Sequence, residues 1–243
     1  MENKEWYESW FDSPYYHILY KNRDGAEARQ FIDHLVKKFN LTPGFRVMDL
    51  CCGKGRHAVY LNSIGFKVTG LDLSPRNIRY CKQFENENLE FYVHDMRHLF
   101  RTNYFKAIFN LFTSFGYFER DHYNDMSISA AAKGLQKGGL LIIDFMNAWR
   151  ATHDLTPHHK KTVDGIEFNI HKQLRDGFIY KDITFSDSGS KYAYREEVKI
   201  LLLKDFEGYM KHAGLTILNT FGDYGLQPFV QESSNRLIIV ASK

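Results

Sequence analysis

Two carboxylates, Asp49 and Asp72, stand at the ends of consecutive apolar runs, Val47-Met48-Asp49-Leu50 and Gly70-Leu71-Asp72-Leu73. Between them lies Cys51-Cys52-Gly53-Lys54-Gly55-Arg56-His57-Ala58, which reads as a glycine turn leading from a strand into a helix. Such a turn lets the backbone approach a ligand closely. An acid at the end of the second strand can accept hydrogen bonds from both hydroxyls of a ribose, and open α/β sheets bind ligands at the carboxyl ends of their strands. These residues predict a nucleoside-containing ligand held between two adjacent strand ends.

Two ligand classes fit that expectation. The spacing Gly53-x-Gly55-x-x-Ala58 matches the dinucleotide fingerprint, which would make the chain an NAD(P)-dependent oxidoreductase. Charge argues the other way. Asp49 is expected beside the turn, where a carboxylate repels a diphosphate and attracts an ammonium or sulfonium. At about 4 Å and an effective dielectric near 20, the difference is on the order of several kcal/mol. The expected cofactor is therefore S-adenosylmethionine, whose tail is a cationic amino acid.

Four stretches in order resemble the successive motifs of class I S-adenosylmethionine-dependent methyltransferases. They are Asp49 to Gly55, Asp72, His94-Asp95-Met96-Arg97, and Phe109 to Phe118. The resemblance runs from about residue 14 to residue 242, through Ala213-Gly214-Leu215. It is nearest to a bacterial group acting on small molecules, whose members similarly begin with Trp-Phe, Tyr-Tyr and Tyr-x-x-Arg elements. The resemblance implies a Rossmann-like α/β fold, with a seven-stranded, mostly parallel sheet whose last strand is antiparallel. A small antiparallel β-sheet would be inserted after the fifth strand. The implied activity is methyl transfer to a small-molecule acceptor; a cofactor-binding relative without catalysis would carry the same residues.

Carried over residue by residue, the resemblance gives Asp49, Gly53 and Gly55 to the methionine end of the cofactor. Asp72 would hold the ribose, Leu73 would pack on the adenine, and Asp95 and Met96 would line the adenine edge. Asn110 and Leu111 would flank the methionine chain and the transferable methyl. Cys51 stands in the cofactor turn where the family usually has glycine. Tyr20 and Arg23 belong to a segment expected to fold over the cofactor, with Arg23 able to pair bidentately with the methionine carboxylate.

Methyl transfer needs a nucleophile aligned about 3 Å away and exclusion of water. No residue stands out as a general base; His57 and Tyr117 are the catalytic candidates, with His94 also near the sheet's carboxyl end. Phe112, Phe115, Tyr117 and Phe118 suggest either an apolar acceptor wall or core packing. His153, His158 and His159, next to Lys160 and Lys161, lack a carboxylate or cysteine at ligand spacing, so they read as a solvated loop and no metal is expected. The fourth strand ends in Asn110-Leu111-Phe112-Thr113 and no RNA-binding module is apparent, so no nucleic-acid partner is expected.

The elements that must position these residues follow from pattern. Residues 1–45 are aromatic-rich and helical, forming a cap over the cofactor site; Ala28, Phe31, Ile32, Leu35, Val36 and Phe39 recur at helical spacing. Residues 46–150 alternate strands (46–50, 66–71, 89–93, 107–111, 140–145) with helices, Lys137-Gly138-Gly139 turning into the last of these strands, the signature of a parallel sheet covered on both faces. Residues 151–203 carry alternating strands (166–170, 172–174, 178–185 and 192–203) joined by Asp-Gly and Ser-Gly turns, an inserted antiparallel β-subdomain. Residues 204–243 supply a helix and two strands that complete the core. The chain has 243 residues, with 32 Lys+Arg against 29 Asp+Glu, a net +3 too small to imply nucleic acid by itself. No apolar run approaches the roughly 18 residues of a membrane span. Three cysteines, two of them adjacent, make no disulfide framework, which suggests a reducing cytoplasm; a monomer or homodimer is expected.

Overall fold

The computed structural model describes residues 5–21 and 25–243. Helices α1 (Trp6–Phe11), α2 (Pro14–Leu19) and α3 (Gly25–Lys38) precede the first strand. The core then runs β1 (Arg46–Leu50), α4 (Arg56–Ser63), β2 (Lys67–Asp72), α5 (Pro75–Cys81), β3 (Leu89–Val93), β4 (Phe105–Asn110), α6 (Asp121–Gly134) and β5 (Leu135–Met146). Next come α7 (Ala148–His153) and four strands, β6 (His158–Val163), β7 (Ile166–Arg175), β8 (Phe178–Asp187) and β9 (Ser190–Lys199). Helix α8 (Leu203–His212), β10 (Thr216–Phe221) and β11 (Arg236–Ser242) end the chain.

The main sheet has seven strands in the order β10-β11-β5-β4-β1-β2-β3. Only β11 runs against its neighbours, pairing antiparallel with both β5 and β10. The order reverses at β1, whose neighbours are β2 and β4, and the register places Asp49 opposite Gly70 on one side and Phe109 on the other. That reversal opens the crevice where such sheets take ligands. The central strands are apolar because helices cover both faces: α3, α4 and α5 pack on one with Phe31, Ile32 and Leu61, while α6 and α8 pack on the other with Ile128, Phe206 and Met210.

The second sheet has the order β6-β7-β8-β9 and is antiparallel throughout. Its apolar face, Phe168, Ile170, Ile183 and Phe185, packs on Trp10 and Leu19 of the N-terminal helices. The insertion therefore supports the segment that covers the site.

Three local readings are corrected. The segment expected as a loop at His158–Lys161 is strand β6, an edge strand whose alternate side chains face outward, so its sequence looks polar. Ile166–Ile170 and Lys172–Leu174 form one continuous strand rather than two. The turn expected at Lys137-Gly138-Gly139 lies within β5 as an interruption of the ladder, since Phe105 pairs with Leu135 but Ala107 with Leu140.

Candidate cofactor and acceptor site

A cavity of about 430 Å³ opens at the carboxyl ends of β1, β2 and β4, beneath α1 and α2. That is at the small end of the roughly 300–1,000 Å³ usual for ligand sites. One end is walled by Cys51, Gly53, Asp72, Leu73, Asp95 and Met96; the other by Tyr7, Phe11, Tyr16, Tyr117 and Phe118, with Glu8 among them.

At the first end, Asp72 sits where β2 gives way to α5. Its Oδ2 accepts from the Gly53 amide at 2.8 Å, and its Oδ1 accepts from the Ser74 amide at 2.9 Å. Burial pushes its carboxyl above the usual range, and those two amides oppose the shift. Ser74 caps α5 by accepting from the Asn77 amide at 3.0 Å, with Pro75 pre-set for the first turn. The Ser74 hydroxyl also donates to Asp12 Oδ1 at 2.5 Å, which latches the junction of α1 and α2 over this end. Asp95 is held by Arg97, which donates to Oδ2 from Nη2 at 2.5 Å and from Nε at 2.9 Å. Burial would raise the Asp95 carboxyl, but the guanidinium and the Arg97 amide outweigh it and hold it below the usual range. Cys51 adopts φ +65°, the left-handed conformation its family position usually gives to glycine, and its thiol lies 3.7 Å from Met96 Sδ.

The other predicted residues fall elsewhere. Asp49 is buried and accepts from the Ala58 amide at 3.0 Å, capping the first turn of α4 instead of facing the cavity. Burial raises its pKa to about 7. The charge argument from the sequence therefore changes form: a carboxyl group of the chain already occupies the helix N-terminus that a diphosphate would need. Gly55, φ +78°, stands behind the turn against Phe91 and Cys81. Asn110 ties the post-β4 loop to β1, donating to Leu50 O at 3.2 Å and Ser114 O at 3.1 Å. Leu111 is core. Tyr20 is not a cavity residue; its hydroxyl donates to Glu196 Oε1 at 2.6 Å on the inserted sheet, where Trp10 Nε1 and Lys181 also meet that carboxylate. Arg23 lies outside the described residues. His57 is buried, stacks on Phe112 at 5.0 Å, and is held neutral by burial and by Arg56, with a pKa lowered to about 3. It is not among the cavity walls, whereas Tyr117 is one of them, its hydroxyl donating to Thr113 O. The aromatic cluster divides in the same way: Tyr117 and Phe118 face the cavity, Phe115 is core against Phe206, and Phe112 packs with Tyr224.

Sequence reading missed the contribution of α1. Tyr7 and Phe11, and likewise Glu8 and Asp12, are four residues apart and share a helical face. That spacing, in a segment dense in aromatics, is the signal that could have found them. Tyr117 is packed by Trp6 at 5.3 Å and by Phe11 at 5.2 Å, so the far wall is built from α1 and the post-β4 loop together. His17, also lining the cavity, is kept neutral by burial and by the nearby Lys54, with a pKa lowered to about 4.

These residues fit an adenosine-containing cation. A Cβ built at Gly53 meets nothing within 4 Å, so the turn leaves open space at the cavity wall. The buried Asn110 Oδ1 accepts no hydrogen bond. Among the described residues the walls carry the carboxylates of Glu8, Asp12, Asp72 and Asp95 and no lysine or arginine.

Comparison with known proteins places this geometry. Residues 47–139 match the family described as a methyltransferase domain. A candidate methyltransferase of Geobacillus sp. (strain WCH70) is 23% identical over 227 residues, covering 88% of this chain and 91% of the relative. A Streptomyces venezuelae protein named as a dTDP-3-amino-3,4,6-trideoxy-alpha-D-glucopyranose N,N-dimethyltransferase is 22% identical over 219 residues, covering 83% and 89%. The crystal structure of an S-adenosylmethionine-dependent methyltransferase from Clostridium acetobutylicum superposes with a TM-score of 0.81 at 20% identity, covering 94% of this chain and 95% of its own, a likeness of fold. Residues 47–139 thus match a methyltransferase domain, and nearly the whole chain shares the fold of the Clostridium S-adenosylmethionine-dependent methyltransferase.

Proposed function

We propose that the protein uses S-adenosylmethionine to methylate a small-molecule acceptor, with cofactor and acceptor meeting inside the cavity beneath α1 and α2. The observation that carries this reading is the division of one cavity into a carboxylate-bearing end at β2 and β3 and an aromatic end at α1 and the post-β4 loop. Asp72 would accept from the ribose hydroxyls, using lone pairs left free by the Gly53 and Ser74 amides. Leu73 and Met96 would sandwich the adenine, with Asp95 at its edge, and Gly53 would let the backbone close on the methionine portion. The bound cofactor would supply a methyl group already activated by sulfonium. The chain's own work is then alignment and drying: α1 and α2 shut out water, and Tyr117 and Phe118 hold the acceptor in line.

The nicotinamide alternative meets the capped N-terminus of α4, where Asp49 already accepts from the Ala58 amide. Calorimetry separates the two. S-adenosylhomocysteine is expected to bind, and NADH is not. Asp72→Ala is expected to weaken S-adenosylhomocysteine by about 1–3 kcal/mol, the scale of lost hydrogen bonds to a charged group. NADH binding without a response to S-adenosylhomocysteine would reverse the assignment, and unchanged affinity in the variant would remove the ribose role of Asp72.

A further inference from the structure

The aromatic end of the cavity has a definite charge preference. Among the described residues, the only ionisable side chain of permanent charge on that wall is Glu8, seated between Tyr7 and Phe11 on α1. Burial pushes the Tyr7 phenol up; the carboxylates of Glu5, Asp95 and Glu8 add to that shift and the Arg97 guanidinium opposes it. The guanidinium beside this end, Arg97, acts on Tyr7 but is held by other partners. It is paired bidentately with Asp95 and flanked by the rings of Phe118 at 5.0 Å and Tyr123 at 4.9 Å. Lys54 and Arg76 act on His17, at the cofactor end.

We propose that the acceptor is a small amine, bound as its ammonium ion against Glu8 and the rings of Tyr7, Phe11 and Tyr117, and bearing no phosphate or carboxylate. This rests on the methyl-transfer reading above and narrows it. An ammonium is attracted to aromatic faces and to a carboxylate; the ring contribution strengthens where water is excluded, as at the buried Tyr7, while Glu8 is exposed and acts at the cavity rim. A diphosphate would find no lysine or arginine among the described residues of these walls, so the acceptor would differ in this respect from the nucleotide-linked amino sugar in the name of the Streptomyces relative. In the reaction the ammonium first gives one proton to Glu8 or to water. The freed nitrogen lone pair then forms the bond to the methyl carbon as that carbon's bond to sulfur breaks, the bonding pair going to sulfur. The products are a neutral thioether and a methylated ammonium, which releases its second proton to solvent.

The test uses the full chain loaded with S-adenosylhomocysteine and three probes of one shape: benzylamine, benzoate and benzyl phosphate. Binding is read by saturation-transfer NMR with titration. Benzylamine is expected to bind at least tenfold more tightly than either anion, and Glu8→Gln is expected to erase that margin while leaving S-adenosylhomocysteine affinity unchanged. Equal or tighter binding of benzoate or benzyl phosphate overturns the proposal, as does failure of all three to bind, or an unaltered margin in Glu8→Gln. Failure of S-adenosylhomocysteine itself to bind would instead strike the cofactor reading. With labelled S-adenosylmethionine, methyl transfer to a nucleotide-linked amino sugar in preference to free aliphatic amines would also overturn it.

Discussion

Replacing Arg236 by alanine should destabilise the protein far more than a surface arginine would. Asp144, at the end of β5, has no exposed surface; its Oδ1 accepts from Arg236 Nε at 2.7 Å and its Oδ2 from the Phe112 amide at 2.8 Å. Arg236 Nη2 also donates to Thr113 Oγ1 at 2.9 Å. The pair thus grips two consecutive residues, Phe112 and Thr113, whose φ angles of +59° and +60° are left-handed. Each such non-glycine residue costs of order 1–3 kcal/mol and persists only where its surroundings enforce it. Removing the guanidinium leaves the Asp144 carboxylate buried without its counter-charge, a change worth about 3–5 kcal/mol. Urea denaturation at pH 7 is the assay: the midpoint should fall by that amount at an unchanged m-value. The double variant Asp144→Asn, Arg236→Met, which removes both charges and keeps an acceptor for the Phe112 amide, should regain much of the loss. Because the Tyr117 hydroxyl donates to Thr113 O, the single variant should also loosen the aromatic wall and raise the acceptor KM more than it lowers kcat. A loss below about 1 kcal/mol, or a double variant no more stable than the single one, would refute the account of this pair.

Three further substitutions separate cavity from core. At Asp49 the folded-state pKa of about 7 lies above the ordinary carboxylate value, so the folded chain binds the extra proton and stability falls as pH rises from about 4 to about 7. Asp49→Asn keeps an acceptor for Ala58 and removes that dependence. Its stability relative to the parent should therefore improve across this window, by an amount on the order of a few kcal/mol, and a pH-independent difference in chemical denaturation would contradict the assignment. Gly53→Ala places a methyl in open space at φ +54°, so it should cost about 1 kcal/mol of stability but markedly weaken S-adenosylhomocysteine. Gly70→Ala would set its Cβ 2.4 Å from the Phe91 ring and should instead be a folding defect, visible as a lowered Tm before any ligand is added.

The parallel core was legible because its signals are local. Apolar strands 46–50 and 89–93, the Ser74-Pro75 helix start and the glycine turn each announce themselves within a few residues, and β1 to β5 follow in order. The edge strand β6 was not legible, since Lys160 and Lys161 in an alternating polar run look like a loop until β7 pairs with them. At the site, Cys51, Gly53, Asp72, Leu73, Asp95 and Met96 could be named from strand ends, and they line one cavity. Asp49 and Asn110 come from equally visible strand ends, yet their side chains turn into the protein to satisfy a helix terminus, the last carbonyl of β1 and a loop carbonyl.

By itself the amino-acid order determined the alternation of strands and helices, and hence the crevice, because hydrophobic period and turn chemistry act over a handful of residues. Only the tertiary structure decided which groups face that crevice. Tyr7 and Glu8 reach it because Trp10, on the same helix, is buried against a sheet more than 150 residues further along, with its indole bonded to Glu196. No local pattern near α1 encodes that partner, since the contact joins residues that the chain brings together only after both sheets have formed.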